Sequence, residues 1–428
     1  MICEVREERD VWCLADPFTD ILPSGFLALL WSFAESIDFF RLFREMLHVD
    51  MKEVEFSNLD KVKTLIASIV VGCQYGKDIN HKLVPYQAAA QCCRLEQFSD
   101  QSQINRFLRR LTIFNIQELD YIFEQMLRSY GMCRFQSRVD VDYDCTGLTV
   151  YGKTYQFARK GYFPKKRSSR GYQLSLATTA NTAYHEILSL HLDPGNVHHD
   201  CRFWDAIYQA GEVLGDISRI GVVRADSASG TGPNIEALID HGLSYLIKGK
   251  DCRTAKRFAD KLCYEDWRPA DLFIRVSDLD GQRIPNCRHP VRVVVVETSV
   301  PTGGKKYTAL YTDLGDEPEE LFHRYNGRQS IESIIREDKY GLYITHLRTR
   351  EYLGLLGFLY LAMITYNLLS LFRHTVLRGT GLERISISGM TNKLMDIPAK
   401  MFIEDKQLLL GFPERHELCK KLFSKRNL

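Results

Sequence analysis

Four polar residues recur at helical spacing in YNGRQSIESIIREDK, residues Tyr325 to Lys339. At about 100° per residue, Tyr325, Arg328, Glu332 and Lys339 fall within one stripe roughly 60° wide on a single helix. Ile331, Ile334 and Ile335 fall on another side, which can pack. A carboxylate flanked by two cations and a phenol could hold a metal ion beside a bound phosphate. The same stripe also fits a solvated face with an Arg–Glu pair at i,i+4.

Two other acidic stretches bear on that choice. RVDVDYD alternates strictly: Val139, Val141 and Tyr143 point one way, and Asp140, Asp142 and Asp144 the other. GVVRADS places Asp226 at the end of an apolar run, where it could also cap the next helix. Phosphodiester cleavage at neutral pH needs a charged nucleophile and relief of charge on the phosphate. Two divalent ions about 4 Å apart supply both. Mg²⁺ or Mn²⁺ in that role takes oxygen ligands, so carboxylates plus substrate phosphate suffice. Asp144, Asp226 and Glu332 are the candidate catalytic and metal-binding set. Asp140 and Asp142 share the strand face of Asp144 and compete with it, but Asp144 lies nearest the strand end.

These residues need particular elements to bring them together. From Leu22 to about Gly131 the pattern is helical, and residues 1–20 are polar and read as irregular. Gly76 is a candidate end for the helix beginning KVKTLIASIV. In FSDQSQINRFLRRLT, Ser99 or Asp100 is a candidate N-cap, and Ile104, Phe107, Leu108 and Leu111 form one apolar stripe. Arg106, Arg109 and Arg110 lie off that stripe, as in the second helix of a DNA-binding pair or in an amphipathic surface helix. At Arg138 the period changes to two. Three strands in sequence are followed by alternating helix and strand, giving β-β-β-α-β-α-β-α, the ribonuclease-H-like order of an α/β protein with a mixed sheet.

In that order the first and fourth strands are neighbours, and their end carboxylates, Asp144 and Asp226, can meet. From Asp226 to Glu332 is 332 − 226 = 106 residues, far more than a helix, a strand and a short loop need. The excess holds strand-like DLFIRVSD, VRVVVVETSV and KKYTALYTDL, with a turn at Gly303–Gly304. The expected division is therefore an all-α N-terminal region over 1–131 and a first part of the core over 132–250. A β-rich insertion over 251–317 precedes the last catalytic helix. The glutamate helix and an apolar helix over 318–375 complete the core, and a helical, basic region follows over 376–428.

Composition adds limits. The chain has 428 residues, 45% hydrophobic and 26% charged, with a net charge of only +2, so the total does not advertise nucleic acid. The distribution says more: residues 1–60 hold 13 acids against 5 bases, whereas Arg159 to Arg170 holds six bases and no acid. Arg159, Lys160, Lys165, Lys166, Arg167 and Arg170, with Tyr162 and Phe163 between them, form a candidate backbone-tracking loop or a solvated hairpin tip. Twelve cysteines without a secretory signal suggest a reducing cytoplasm, and no zinc-like cysteine spacing or glycine-rich phosphate loop stands out. Tyr352 to Phe372 has no charge over 21 positions, long enough to span a bilayer. It reads as a buried core helix, because an all-apolar helix suits the centre of a large domain equally well.

Three blocks carry a resemblance. Tyr325, Arg328, Glu332 and Lys339 match the Tyr-Arg-Glu-Lys spacing of a superfamily of insertion-sequence DDE transposases. DYDCTGLTVYGK, Asp142 to Lys153, resembles its first-aspartate block, where the aspartate sits two before a Thr, as Asp144 does before Thr146. VVRADSASG, Val222 to Gly230, resembles the second. The resemblance implies a cut-and-paste transposase with two Mg²⁺ or Mn²⁺ ions. It implies double-stranded DNA, both transposon ends and target, as partner, and at least a dimer in the synaptic complex. It implies a prokaryotic cytoplasm, near the nucleoid, and no membrane. Tyr325, Arg328 and Lys339 become DNA contacts, and the insertion stands where the family has one. Trp267 in it is a candidate to stack on a flipped base, or a core tryptophan. Asn196 and His198 lie where the family has a similar Pro-Gly-Asn block, without an evident role beyond helix capping. A metal-dependent nuclease or resolvase of the same fold, and a domesticated DNA-binding protein with a silent site, are the alternatives.

Overall fold

The computed structural model describes residues 3–8, 21–52, 55–161, 163, 169–180, 184–301, 303–404, 407–413 and 415–423. They form two compact units. One comprises 1–131, 150–157 and 335–428, the other 132–149 and 158–334.

The second unit is built on a mixed sheet. The strand Val139–Val150 lies between Arg170–Thr179 and Ile220–Ala225, and Arg170–Thr179 also pairs with Ile187–Pro194. Val139–Val150, Ile220–Ala225 and Ser244–Lys248 run parallel, while Arg170–Thr179 and Ile187–Pro194 are antiparallel. Parallel neighbours need crossovers. Phe203–Leu214 supplies one, packing Phe203, Ala206, Ile207 and Ala210 onto the sheet and ending at Gly215 with φ 89°. Gly232–Asp240, with Pro233 in its first turn, supplies the other. The element order agrees with the expected alternation, and the mixed sheet is compatible with a ribonuclease-H-like core.

The excess between Asp226 and Glu332 does not stand apart from this sheet. After a helix, Cys252–Ala259, the strands Arg268–Asp271, Ile274–Gln282, Val291–Ser299 and Lys305–Thr312 form an antiparallel run. Its last strand pairs antiparallel with Ser244–Lys248, so the insertion extends the core sheet edge to edge. The valine run Val293–Val296 is buried on both faces, as a central strand requires. The helix Pro318–Asn326 lays Leu321 and Phe322 on a cluster with Val222, Leu246, Val276, Val294, Val296 and Leu310.

In the first unit, Tyr352–Thr375 is the central helix. Its length and hydropathy suffice to cross a membrane, yet 83% of its most apolar window is buried within the protein. Asn58–Val70, Gln101–Arg110 and Ile113–Tyr130 pack around it. Leu355, Leu359, Leu361, Leu368 and Leu369 are among its buried side chains, each stabilising by roughly 2 kcal/mol. Close approach requires Gly354, where a Cβ would come within 2.4 Å of the Leu108 carbonyl oxygen. Asp100, one of the two candidates, is the N-cap, accepting from the Gln103 N–H at 2.8 Å.

Three expectations are corrected here. The helix from Asn58 ends at Val70, and Gly72 with φ 66° turns the chain, not Gly76. Residues 1–20 are not wholly irregular: Cys3–Glu8 is a strand, paired parallel with Gln407–Pro413. The region after 376 is not all helical, since Ala399–Glu404 and Gln407–Pro413 form an antiparallel hairpin. Two short apolar runs bounded by Pro398 and Pro413 are too brief for helices, and strand pairing satisfies their backbone groups.

Candidate active site

The register of the two central parallel strands sets the site. Asp142 is opposite Arg224 and Tyr143 opposite Ala225. One step further on lie Asp144 and Asp226. The second strand has ended there, but the first runs on to Val150, so Asp144 lies within its strand and not at the end where it was expected. Asp226 turns the chain there, its carboxylate accepting from the Ala228 N–H at 2.9 Å.

The three alternating aspartates separate by partner. Asp140 accepts from the Val222 N–H at 2.9 Å and pairs with Arg324 at 2.9 Å. Asp142 is fully buried and receives a fork from Arg224, Nε to Oδ1 at 2.7 Å and Nη2 to Oδ2 at 2.8 Å, with the Ser330 hydroxyl at 3.2 Å. Burial pushes the Asp142 carboxyl upward, and the Arg224 guanidinium opposes it. Asp144 accepts only from its neighbouring Cys145 N–H among the hydrogen bonds described, and lies 3.5 Å from Arg328 Nη1. Burial pushes its carboxyl up to about 6; Arg328 pulls it down, and Asp226 and Glu332 push it further up. Mutual influence of that kind requires the three carboxylates to share a neighbourhood.

Arg328 is the hub. It is 7% exposed, and Nη2 donates to Glu332 Oε1 at 2.8 Å. Its guanidinium lies 5.9 Å from the Tyr325 ring centre. Burial pushes the Tyr325 phenol up to about 12. Ile331, Ile334 and Ile335 are buried as the apolar face requires, while the Glu332 side chain is 57% exposed.

Tyr325 to Lys339 is not one helix, however. Pro318–Asn326 ends before Gly327, and Gln329–Tyr340 begins after Arg328. The cause is visible in the hydrogen bonds. Arg224 Nη1 takes the Arg324 carbonyl at 2.7 Å, which a continuing helix would offer to the Arg328 N–H. That N–H turns instead to the Tyr325 carbonyl at 2.9 Å. Arg224, Arg324 and Ser330 are thus positioning residues that the sequence reading missed. An arginine inside the apolar run GVVRAD was the available signal, because a buried guanidinium must be paired.

The remaining candidates scatter. Lys339 is seven residues beyond Glu332 on the Gln329–Tyr340 helix, in the part that belongs to the first unit. Arg159 and Lys160 are exposed on a short strand opposite Gly171 and Arg170, and Arg170 donates to the Ala158 carbonyl at 2.8 Å. Lys165, Lys166 and Arg167 lie outside the described residues. Arg106, Arg109 and Arg110 are exposed on Gln101–Arg110, while Ile104, Phe107 and Leu108 are buried. Trp267 is half-buried rather than a core tryptophan, with Arg275 5.5 Å from its ring and Tyr307 6.3 Å away. Asn196 is exposed. His198 caps a short turn by accepting from the Asp200 N–H.

The donor set fits a hard divalent ion: its three carboxylates supply only oxygen, and a buried Asp144 raised to about 6 gains from a nearby cation. In the arrangement described, Arg328 holds the place between Asp144 and Glu332. No three His, Cys, Asp or Glu among the described residues are gathered closely enough to hold one ion.

A mixed α/β sheet of this kind is compatible with the fold of DDE transposases. A family model described as transposase DDE domain group 1 matches residues 23–426, and the chain belongs to that family. No curated protein matches the chain. The family implies a nuclease or transposase that acts on DNA, and its members generally use divalent metal ions.

Proposed function

We propose that this protein is a cut-and-paste DNA transposase of the superfamily with the Tyr-Arg-Glu-Lys signature, with a ribonuclease-H-like core. The observation that carries the reading is the buried Arg328 guanidinium, 3.5 Å from Asp144 and 2.8 Å from Glu332, with Asp226 following the end of the strand paired beside Asp144. Asp144, Asp226 and Glu332 would hold two Mg²⁺ or Mn²⁺ ions, which when bound would charge the attacking oxygen and relieve charge on the phosphate. Arg328 orients Glu332 and presents donors to a phosphate oxygen; Tyr325 shields that guanidinium from water. Lys339 adds a second cation on the same helix. The helical region 1–131, through Arg106, Arg109 and Arg110, binds terminal inverted repeats. Arg159, Lys160 and Arg170 follow the backbone, with Lys165, Lys166 and Arg167 in the same basic run, and Trp267 offers a stacking face to a flipped base. Two ends must be joined, so the working form is at least a dimer, free of membranes, in the prokaryotic cytoplasm.

The test is nicking of a plasmid that carries the gene with its native flanks. Purified protein with Mg²⁺ or Mn²⁺ is compared with Glu332→Gln and with a metal-free control. Breaks at a pair of inverted repeats, absent in both controls, are the expected result. Because Glu332 pairs with the buried Arg328, thermal unfolding of the variant is measured beside the wild type, so that lost cleavage is told apart from lost folding. Metal-dependent breaks scattered over the plasmid would replace this reading with that of a nuclease. Tight retention of the flanking DNA without breaks would replace it with a silent DNA-binding protein.

A further inference from the structure

The sheet extension carries a surface pocket of about 360 Å³, lined by Thr254, Arg257, Phe258, Lys261, Arg283, Ile284 and Pro285. Three of these are cations and none is acidic. Phe258 and Ile284 are 4% exposed and form an apolar floor. Two of the cations are held by hydrogen bonds to neutral side chains. Arg257 Nη2 donates to the Thr254 hydroxyl at 2.8 Å, and that hydroxyl donates to Asp251 at 2.9 Å. Lys261 Nζ donates to the Gln282 amide oxygen at 2.7 Å. Both are therefore oriented by neutral oxygens and not by a direct ion pair, with the Asp251 carboxylate one hydroxyl removed from Arg257. Elsewhere in the extension Arg268, Arg275, Arg288 and Arg292 each reach a carboxylate within 3.2 Å. Among the described residues no carboxylate forms an ion pair with Arg257, Lys261 or Arg283, which stand exposed at the rim above the apolar floor.

We infer that Arg257, Lys261 and Arg283 form a phosphate-binding pocket, separate from the carboxylate site, that takes a phosphate group of a DNA backbone or of a soluble phosphate ester. Two guanidiniums offer paired donors to phosphate oxygens and the ammonium adds a point charge. The DNA arm of this inference rests on the transposase reading; the soluble-phosphate arm does not.

The experiment uses the full chain and three variants. Arg257→Ala/Arg283→Ala empties the pocket of both guanidiniums, and Arg257→Lys/Arg283→Lys keeps the charge. Arg253→Ala/Lys256→Ala removes equal charge from exposed positions of the same helix outside the pocket. Affinity for the gene's flanking duplex is measured against salt, and the thermal midpoint against inorganic phosphate. Each phosphate contact contributes about 0.9 to the slope of log K on log salt. The Ala pair at the pocket is expected to lower that slope by roughly 2, the Lys pair to keep it, and the control pair to leave it within about 0.5. An unchanged slope with loss of the phosphate-induced shift would assign the pocket to a soluble phosphate and sustain it. Absence of DNA binding by the wild type, with a pocket-dependent phosphate shift, would refute the transposase reading and sustain the pocket. Equal effects of the pocket and control pairs, or no effect of the pocket pair in either assay, would overturn it.

Discussion

Replacing Arg224 by Met tests how the glutamate helix is held to the sheet. The Arg224 and Asp142 side chains are 6% and 0% exposed, and three guanidinium nitrogens are engaged: Nε and Nη2 on the Asp142 carboxylate at 2.7 and 2.8 Å, Nη1 on the Arg324 carbonyl at 2.7 Å. Without Arg224, Asp142 keeps the Ser330 hydroxyl at 3.2 Å as its hydrogen-bond donor among the bonds described. Breaking a buried pair from one side costs about 3–5 kcal/mol. At about 2–4 °C per kcal/mol for a unit of this size, the unfolding midpoint falls by roughly 6–20 °C. The double variant Asp142→Asn/Arg224→Met, which leaves no orphan charge, is expected to recover about 1–3 kcal/mol of that loss. The pH dependence has a definite sign. Burial already raises the Asp142 carboxyl above its ordinary value, and loss of Arg224 raises it further. A raised folded-state carboxyl contributes its stability below the unfolded value of about 4 and loses it as pH rises. The deficit of Arg224→Met should therefore be larger at pH 8 than at pH 5. Thermal and urea unfolding of the wild type, both single variants and the double variant, at both pH values, decide the matter. A deficit below about 1 kcal/mol at pH 8, or a double variant no more stable than Arg224→Met, would refute the argument.

Two further outcomes follow from the same physics. Asp144 is raised to about 6 by burial, so its stability contribution is full below about pH 4 and is lost as pH rises through 6. In metal-free buffer Asp144→Asn should match the wild type at pH 4 and exceed it by up to about 2–3 kcal/mol at pH 8; equal stability at both values would contradict the burial argument. Asp338 is fully buried, with neither carboxylate oxygen hydrogen-bonded among the described residues, and its carboxyl is driven strongly upward by burial and by Glu337. Asp338→Asn should raise unfolding stability by more than about 1 kcal/mol at pH 8 and leave it unchanged at pH 4, and a loss at pH 8 would show that the carboxylate has a partner.

Much of the framework is local and was therefore legible. The alternating start of Val139–Val150 and the amphipathic Gln101–Arg110 each favour one face, which periodicity records, while Ile220–Ala225 is buried on both faces and reads as a continuous apolar run. The distance from Asp226 to Glu332 announced extra β structure. That those strands continue the core sheet instead of forming a separate body depends on pairing between Lys305–Thr312 and Ser244–Lys248, which no local pattern encodes. Likewise the short hairpin after Pro398 and its parallel partner Cys3–Glu8 are long-range pairings of weak local signals. Sequence alone placed Asp226 at the end of an apolar strand and Asp144 on one face of an alternating strand, and set a Tyr, Arg, Glu and Lys at helical spacing. Only tertiary structure sorted the three aspartates of one strand face. Arg324 occupies Asp140, Arg224 occupies Asp142, and Asp144 is left beside Arg328. The same Arg224 breaks the expected single helix by taking the Arg324 carbonyl. Spacing can say which side chains share a face, but the partner that satisfies a buried charge or carbonyl comes from a distant part of the chain, and that partner decides which group remains available.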